Sequence, residues 1–344
     1  MKFDTGAEIP SAIGMWPALV LIVIAAIFTA LATRAVLPWL RRMAIMDVPN
    51  ARSSHHMPTP RGGGLAVVPV LLLLMIVGWM AYSDVTLGHL ALLAGAVGLA
   101  IIGFMDDRSE QSPLLRFFVQ TVAVLVALSF LDGPVFQGVM PFWLDRILTI
   151  VAWLWMVNAV NFMDGIDGIT VSELGMVGAG IFLLGIIVPA IGGDLLVAGA
   201  VTVGAMVGFG IWNWHPARLF MGDVGSLPLG FLAGGLLLAL ASRGFWLPAI
   251  ILPLYYAADA TITLVTRLLR GERIFDAHRS HFYQRAVQGK WSHAHTSSAV
   301  LALNAVLVLL ALPLLHLGEY VRLLMAALAT ALLLLAMTRA AKRA

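Results

Sequence analysis

The sequence predicts an all-α, polytopic membrane protein with about eleven transmembrane helices. Hydrophobic residues make up 60% of the 344 residues and charged residues only 11%, whereas soluble domains carry about 25% charged residues. The apolar residues fall into long runs, and a bilayer-spanning helix needs about 20 of them because backbone amides in hydrocarbon must be bonded within their own segment. This composition excludes a soluble globule and a disordered chain, and the absence of cysteine excludes a disulfide-rich scaffold.

Eleven apolar runs account for the predicted helices. The first run lacks the basic n-region and the small-residue cleavage site of a signal peptide, so it is interpreted as a permanent span. No polar linker separates the runs, which favours a single integral membrane domain over residues 1–344. The runs are, in order, 17–38, 65–82, 87–105, 117–131, 142–160, 170–190, 195–212, 224–241, 246–266, 297–315 and 321–338.

The basic residues predict an orientation in the membrane. Eleven spans place the two termini on opposite sides. With the N-terminus outside and the C-terminus in the cytoplasm, every Lys and Arg lies on the cytoplasmic side or at its helix ends except Lys2, Arg146, Arg243 and Arg322. This distribution fits the positive-inside rule. The net charge of +3 follows from the topology, and no nucleic-acid partner is expected.

Acidic residues collect at the predicted span ends on the cytoplasmic side. Asp106 and Asp107 end the third span, Asp164 and Asp167 follow the fifth in NAVNFMDGIDG, and Asp223 begins the eighth in FMGDVGS. Five carboxylates at one surface would repel one another unless a cation held them together. Hard oxygen ligands without cysteine favour Mg²⁺ or Mn²⁺ over zinc. Each acid taken alone could cap a helix, but together they predict a metal-dependent site.

Basic residues on the same face supply the chemistry of a polyphosphate site. Residues 62–64 form a glycine turn before the second span, where helix amides can meet a phosphate oxygen. His278 and His281 are three residues apart and share one face if their segment is helical. Asp259 lies inside the ninth span, either as a functional group or as a partner of Arg267. The arginines on this face are Arg52, Arg61, Arg108, Arg116, Arg218 and Arg279.

Five ordered segments of the chain resemble those of a known enzyme family. DVPNARSSHHMPTPRGGGLA, GFMDDR, NAVNFMDGIDGI, FMGDVGS and DAHRSHFYQR are similar to motifs of the polyprenyl-phosphate N-acetylhexosamine-1-phosphate transferases, glycosyltransferase family 4. The resemblance implies an enzyme of the bacterial inner membrane that transfers N-acetylhexosamine-1-phosphate from a UDP-sugar to undecaprenyl phosphate. It would release UMP at the cytoplasmic face and initiate a surface glycan such as O-antigen. A homodimer is a further expectation from the family.

The resemblance also implies roles for individual residues. Asp223 matches the Mg²⁺ ligand of the family, and Asp106 and Asp107 match its paired catalytic acids. His278 and His281 match a catalytic histidine motif near the diphosphate. The residues expected to bind substrate, through the nucleotide, the phosphates or the first-loop motif, are Asn161, Asp164, Asp167, Arg52, His55, Arg61, Arg108, Arg116 and Arg279.

Two departures from the family pattern bear on the substrate. Arg279 and Ser280 stand where the peptidoglycan branch has consecutive histidines, which argues against a MurNAc-pentapeptide donor. Arg108 and Arg116 lie where the family often has lysine. A planar guanidinium, which can bind two oxygens at once, then replaces a compact ammonium group at the phosphate. The expected donor carries N-acetylglucosamine or a modified relative.

Other functions fit the sequence less well. A secondary transporter with an acidic and basic site at its cytoplasmic face is the main alternative, but its coupling groups belong near the bilayer midplane. An intramembrane aspartyl protease would have glycine in place of Phe220, and a CDP-alcohol phosphotransferase would continue its Asp-Gly motif differently from DGIDGITVSE. A purely structural or binding role leaves the charged motifs without a function.

Overall fold

The computed structural model of the protein describes residues 14–47, 58–272 and 278–342. Across these residues the chain forms α-helices, with one short antiparallel pair of strands. The helices are α1 Met15–Arg42, α2 Gly64–Tyr82, α3 Leu87–Arg108, α4 Pro113–Leu128, α5 Phe142–Met163, α6 Ile169–Ile187, α7 Gly193–Asn213, α8 Asp223–Ser242, α9 Trp246–Ile251, α10 Leu254–Leu269, α11 Phe282–Gln288, α12 His293–Ala311 and α13 Glu319–Ala341; the strands are β1 Met46–Asp47 and β2 Thr59–Pro60.

The predicted all-α membrane fold is confirmed. In the described part of the chain, nine helices are long and apolar enough to cross a membrane. Each of the eleven predicted runs is helical, but two are shorter than a full span. The fourth is α4, of 16 residues, and the ninth is divided into α9, of 6 residues, and α10, of 16. The division falls at Pro253, which has no amide hydrogen to continue the helical ladder.

Helix α8 is the centre of the bundle. It packs against α2, α3 and α5, and 89% of its apolar window is buried inside the protein. Glycines permit this approach: a Cβ on Gly230 would lie 2.9 Å from Val157 Cα, and one on Gly234 would lie 2.8 Å from Trp153 Cδ1. Helices α1 and α13 bury only 22% and 28% of their windows. They form the outer layer of the bundle.

The remaining helices pack around this centre, with α1 and α6 each in contact with α7 and the C-terminal helices α9–α13 joined to them through α12. Helix α7 lies between α1 and α6, while α12 packs against both α6 and α13, and the short α11 packs against α13. Tyr255 and Tyr256 of α10 and Tyr283 of α11 are among the largest fully buried side chains of the protein. The C-terminal helices are therefore joined to the core through a tyrosine-rich layer.

Close backbone contacts fix the N-terminus of α8 against α2 and α3. A Cβ on Gly64, the first residue of α2, would lie 2.3 Å from Gly225 Cα of α8. A Cβ on Gly103 of α3 would lie 2.3 Å from the carbonyl oxygen of Asp223. Real side chains do not tolerate such distances, so only glycine allows the three backbones to meet here. The polar residues at these helix ends are thereby brought together.

The glycine turn before α2 has a structural use. The amides of Gly63 and Gly64 donate to the carbonyls of Phe220 and Met221 at 2.8 and 2.9 Å. The turn follows the β1–β2 pair, in which Asp47 is opposite Thr59. Because these amides bind the segment that precedes α8, they are not available to a phosphate oxygen. Of the three glycines at which the sequence predicted a phosphate contact, Gly63 and Gly64 instead have their amides bound to the protein.

Candidate active site

A cavity of about 120 Å³ opens at the N-terminus of α8. Its walls come from the ends of α3 and α5, the turn between α5 and α6, and the segment before α8. Residues far apart in the sequence thus share one small volume. The predicted site residues that line it are Arg61, Asp107, Asn161, Asp164, Asp167 and Asp223.

Asp223 holds the centre of a hydrogen-bond network at this cavity. Its Oδ1 accepts a hydrogen bond from Asn161 Nδ2 at 2.9 Å, and its Oδ2 accepts one from Arg116 Nη1 at 3.1 Å. Asn161 also donates to Ser226 Oγ at 2.9 Å. The same Nη1 of Arg116 lies 2.9 Å from Asp106 Oδ2. One guanidinium therefore bridges the acid that ends α3 and the acid that begins α8.

Asp107 has a different environment from its neighbour Asp106. Its buried carboxylate accepts the backbone amides of Asp223 and Val224, each at 3.1 Å, and so caps α8. Arg61 donates from Nη2 to the Asp107 carbonyl at 2.7 Å, and its Nε lies 3.5 Å from Oδ1. An ionised carboxylate at a helix N-terminus is stabilised by the unpaired amides there. The two adjacent acids are therefore not equivalent.

Asp164 lies in the turn after α5, where it is linked to α10. Thr170 Oγ1 donates to its Oδ1 at 2.6 Å and lies 3.1 Å from the hydroxyl of Tyr256. Burial raises the pKa of Asp164 to about 6, and the negative charge of Asp107 adds to the increase, although the bond from Thr170 opposes it. Without a cation, this carboxyl therefore gains a proton at mildly acidic pH.

Asp167 is held by two histidines that sequence reasoning missed. Its Oδ2 lies 2.7 Å from His215 Nδ1 and accepts the Ala217 amide at 3.0 Å, while its Oδ1 lies 3.1 Å from His293 Nδ1. Burial alone would raise the pKa of Asp167, but the hydrogen bonds from His293, Ala217 and His215 lower it below its ordinary value. One potential ligand atom from each of the three side chains lies within 4.8 Å of the others.

The spacing of these histidines gave no signal in the sequence. His293 begins α12, far along the chain from Asp167, and it also lines the cavity. His215 lies between α7 and α8. Ligand motifs are recognised in a sequence by short spacing between the ligands. Asp167, His215 and His293 instead come from three distant segments of the chain.

The predicted histidine motif lies beside the cavity, not in its lining. The rings of His278 and His281 are 4.9 Å apart, although α11 begins only at Phe282, so that a shared helical face does not explain the pairing. His278 Nδ1 lies 2.8 Å from Ser280 Oγ. Burial lowers the pKa of His278 to about 4, and its neighbours His281 and Arg267 act in the same direction. His278 is therefore neutral at pH 7.

Tyr283 connects the histidine motif to the cavity. Its hydroxyl donates to the carbonyl of Phe162 at 3.1 Å, at the end of α5. A Cβ on Gly165 would lie 2.2 Å from that hydroxyl. Gly165 lies in the cavity wall between Asp164 and Asp167. The start of α11 therefore packs directly behind the wall that carries two of the predicted site acids.

The other predicted basic residues do not line the cavity. The guanidinium of the exposed Arg108 lies 5.9 Å from the Phe104 ring centroid, and that of Arg218 lies 6.0 Å from the Trp212 ring. Arg279 is exposed, and its carbonyl accepts a hydrogen bond from the Gln288 side chain. The first-loop residues Arg52 and His55 lie outside the described residues.

The donor set of the cavity fits a hard divalent cation. Arg61 is the only arginine or lysine among the described residues that line it, and it faces an excess of carboxylates. Mg²⁺ and Mn²⁺ prefer such oxygen ligands, and a bound cation would offset the repulsion between the acids. The carboxylates concerned are Asp47, Asp107, Asp164, Asp167 and Asp223.

Comparison with known proteins identifies the family of this chain. The model of "Glycosyl transferase family 4" matches residues 89–241, a segment that includes Asp106, Asn161 and Asp223. A protein of Mycolicibacterium smegmatis, decaprenyl-phosphate N-acetylglucosaminephosphotransferase, is 30% identical over 336 residues, which cover 84% of this chain and 79% of that protein. The chain belongs to glycosyl transferase family 4.

Other proteins that resemble this chain are also named as transferases. The probable undecaprenyl-phosphate N-acetylglucosaminyl 1-phosphate transferase of Bacillus subtilis is 29% identical over 296 residues, covering 79% of each chain. The phospho-N-acetylmuramoyl-pentapeptide-transferase of Deinococcus radiodurans is 32% identical over 242 residues, covering 63% of this chain and 73% of that protein. The resemblance inferred from the five sequence segments is confirmed at the level of the family.

Proposed function

We propose that this family 4 protein transfers N-acetylhexosamine-1-phosphate from a UDP-sugar to undecaprenyl phosphate at the cytoplasmic face of the bacterial inner membrane. UMP is released, and the lipid-linked sugar initiates a surface glycan. The observation that carries the proposal is the position of Asp223 in an acid-lined cavity at the end of a central membrane helix. The names of the relatives from M. smegmatis and B. subtilis support the reaction class.

The proposed reaction is a displacement at phosphorus. An oxygen of the lipid phosphate forms a bond to the β-phosphorus of the UDP-sugar, the bond from that phosphorus to the bridging oxygen breaks, and UMP leaves with the electron pair. A phosphate monoester has a second pKa of about 6 and is mostly dianionic at pH 7. The reaction therefore does not require a strong base in the protein.

The residues of the site have two tasks in this reaction. A divalent cation held by Asp223 would supply positive charge to the diphosphate. Arg61 at the cavity wall and Arg116 between Asp106 and Asp223 are placed to bind phosphate oxygens. Asp106 orients Arg116 through its 2.9 Å contact. Catalysis by positioning and charge neutralisation suits a transfer between two phosphates.

The start of α4 offers a surface for the lipid substrate. Leu114, Phe117 and Phe118 are 82%, 52% and 64% exposed, and they flank Arg116 in the sequence. An apolar surface beside a phosphate-binding guanidinium suits an isoprenoid phosphate, whose tail stays in hydrocarbon while its head meets a water-soluble donor. We therefore place the acceptor between α4 and the cavity.

Release of UMP tests the proposal. The purified full-length chain is incubated in nanodiscs with undecaprenyl phosphate, Mg²⁺ and UDP-N-acetylglucosamine or a modified UDP-N-acetylhexosamine. We expect UMP with at least one donor, and we expect D223N to lower the rate by about 100-fold or more, because charge stabilisation at the diphosphate is lost. The matched control is D84N, at an exposed acid at the opposite end of the bundle, which should retain the wild-type rate.

Two results would contradict the proposal. Full activity of D223N at saturating Mg²⁺ would remove Asp223 as the metal ligand. Absence of UMP with every donor, together with solute uptake into proteoliposomes, would instead favour the transporter.

A further inference from the structure

Asp259 is a buried acid that the proposed reaction does not yet use. It lies in the middle of α10, its side chain is 0% exposed, and donors from two elements surround it. The expected partner Arg267 donates its Nε to Glu272 at 2.8 Å. The donors to Asp259 Oδ1 are His281 Nδ1 at 3.1 Å, the Phe282 amide at 3.0 Å and Thr263 Oγ1 at 3.2 Å, and those to Oδ2 are the Tyr283 amide at 3.2 Å and the Tyr255 hydroxyl at 3.5 Å.

This arrangement fixes the proton on the His281 ring. The Asp259 carboxylate accepts hydrogen bonds on both oxygens, as an ionised carboxylate does. The histidine nitrogen that faces it must then carry hydrogen, which makes Nδ1 the donor and leaves the Nε2 lone pair on the far side of the ring. His281 is also the N-cap of α11, where its ring and its amide face the backbone and the side chain of Gln284. The ring therefore presents Nε2 on the side away from Asp259.

The same carboxylate fixes the position of the ring. By accepting the amides of Phe282 and Tyr283, Asp259 caps α11. The other side of this segment is held by Tyr283, whose hydroxyl bonds the Phe162 carbonyl behind the cavity wall. His281, itself 4% exposed, is held between these two anchors.

We propose that Asp259 is a positioning residue that holds His281 in the Nδ1–H tautomer and presents Nε2 to the phosphates of the substrate. The inference rests on the proposed function, in which the histidine motif lies near the diphosphate. In the free enzyme Nε2 is then an acceptor, and once protonated it becomes a donor to a phosphate oxygen, with the imidazolium stabilised by Asp259. Hydrogen bonding by a second group is a general means of setting histidine tautomer and orientation.

The substitution D259N separates positioning from helix capping. Its amide oxygen still accepts a backbone amide of α11, but its NH₂ group faces His281 Nδ1 and favours the Nε2–H tautomer. We expect kcat to fall by about 100-fold, as for loss of a correctly placed acid–base histidine, with the KM for the UDP-sugar nearly unchanged. The matched control is T263V, which removes another donor to Asp259 Oδ1 and should leave kcat near the wild-type value.

A double-mutant cycle tests whether Asp259 acts through His281. H281Q should lower kcat at least as far as D259N, and the D259N/H281Q double variant should be no slower than H281Q alone. If the two losses multiply in the double variant, Asp259 acts independently of the histidine and the inference is wrong.

A spectroscopic measurement separates this inference from the proposed function. In ¹⁵N-histidine-labelled protein, the His281 signal is assigned by its loss in H281Q. We expect an Nδ1–H tautomer in the wild-type protein and an Nε2–H tautomer in D259N. This result does not depend on turnover, so it would stand even if the UMP assay failed. An Nε2–H signal in the wild-type protein would overturn the inference. This measurement needs only the wild-type protein and H281Q, so the test holds even if D259N does not fold.

Discussion

Individual carboxylates at the cavity have their protonation set by what surrounds them. The pKa of Asp164 is raised by burial, whereas that of Asp167, only three residues away, is lowered by hydrogen bonds. The sequence predicted that both residues belong to the site, because acids in glycine-rich turns at span ends are unusual. It could not predict their different states, since these depend on Thr170, His215 and His293, which come from other parts of the chain.

The protonation of His278 can be measured directly. Because its pKa is lowered to about 4 from an ordinary value of about 6.5, we expect its NMR signal, assigned with H278Q, to titrate with a midpoint near pH 4. The unfolded chain binds this proton more readily than the folded chain, so stability should fall as the pH drops from 6.5 towards 4. A midpoint near 6.5 would show that His278 is charged more easily than its environment implies.

Among the helices, close glycine contacts bring the ends of α2, α3 and α8 together at the site. The apolar runs predicted where the helices lie because length and composition alone decide whether a segment can span a bilayer. They did not predict the division at Pro253, where a buried loop is tolerated within protein, nor the use of the glycine turn before α2 as a packing point. These features depend on which backbones approach each other, and a single sequence does not show that.

Substitution of Gly64 tests the importance of this packing. In G64A the new Cβ would lie 2.3 Å from Gly225 Cα, so α2 and α8 must move apart. We expect a loss of roughly 1–3 kcal/mol of stability, the usual cost of overpacking, and reduced UMP release. The matched control is G98A in α3, where no atom lies within 4 Å of the new Cβ and stability should be unchanged or slightly higher. Equal unfolding midpoints for the two variants would contradict this interpretation.

At the scale of the whole molecule, the helices place their polar residues at two separate ends. One end holds the cavity at α8. At the other, Asp194 accepts hydrogen bonds from Arg243 and lies 3.4 Å from His89. The distribution of Lys and Arg predicts that the cavity end faces the cytoplasm, and because the protein has no cysteine, single cysteines can report on each end.

Two serines at equivalent helix positions provide the test of orientation. Ser109 follows α3 at the cavity end and Ser129 follows α4 at the other end, and both are exposed C-caps. In intact cells without an outer membrane barrier, we expect a membrane-impermeant maleimide to label S129C and to leave S109C unmodified until the cells are lysed. The reverse pattern would place the cavity outside the cell and would be incompatible with a cytoplasmic nucleotide donor.

The enclosure of α8 bears on how the enzyme meets changes in its lipid surroundings. A bilayer that becomes thicker or thinner acts on helices that touch it, by tilting or stretching them. Here that strain falls on α1 and α13, while the helix that carries Asp223 is shielded by its neighbours. We therefore expect the end of α8 that carries Asp223 to shift less than α1 and α13 when the thickness of the bilayer changes.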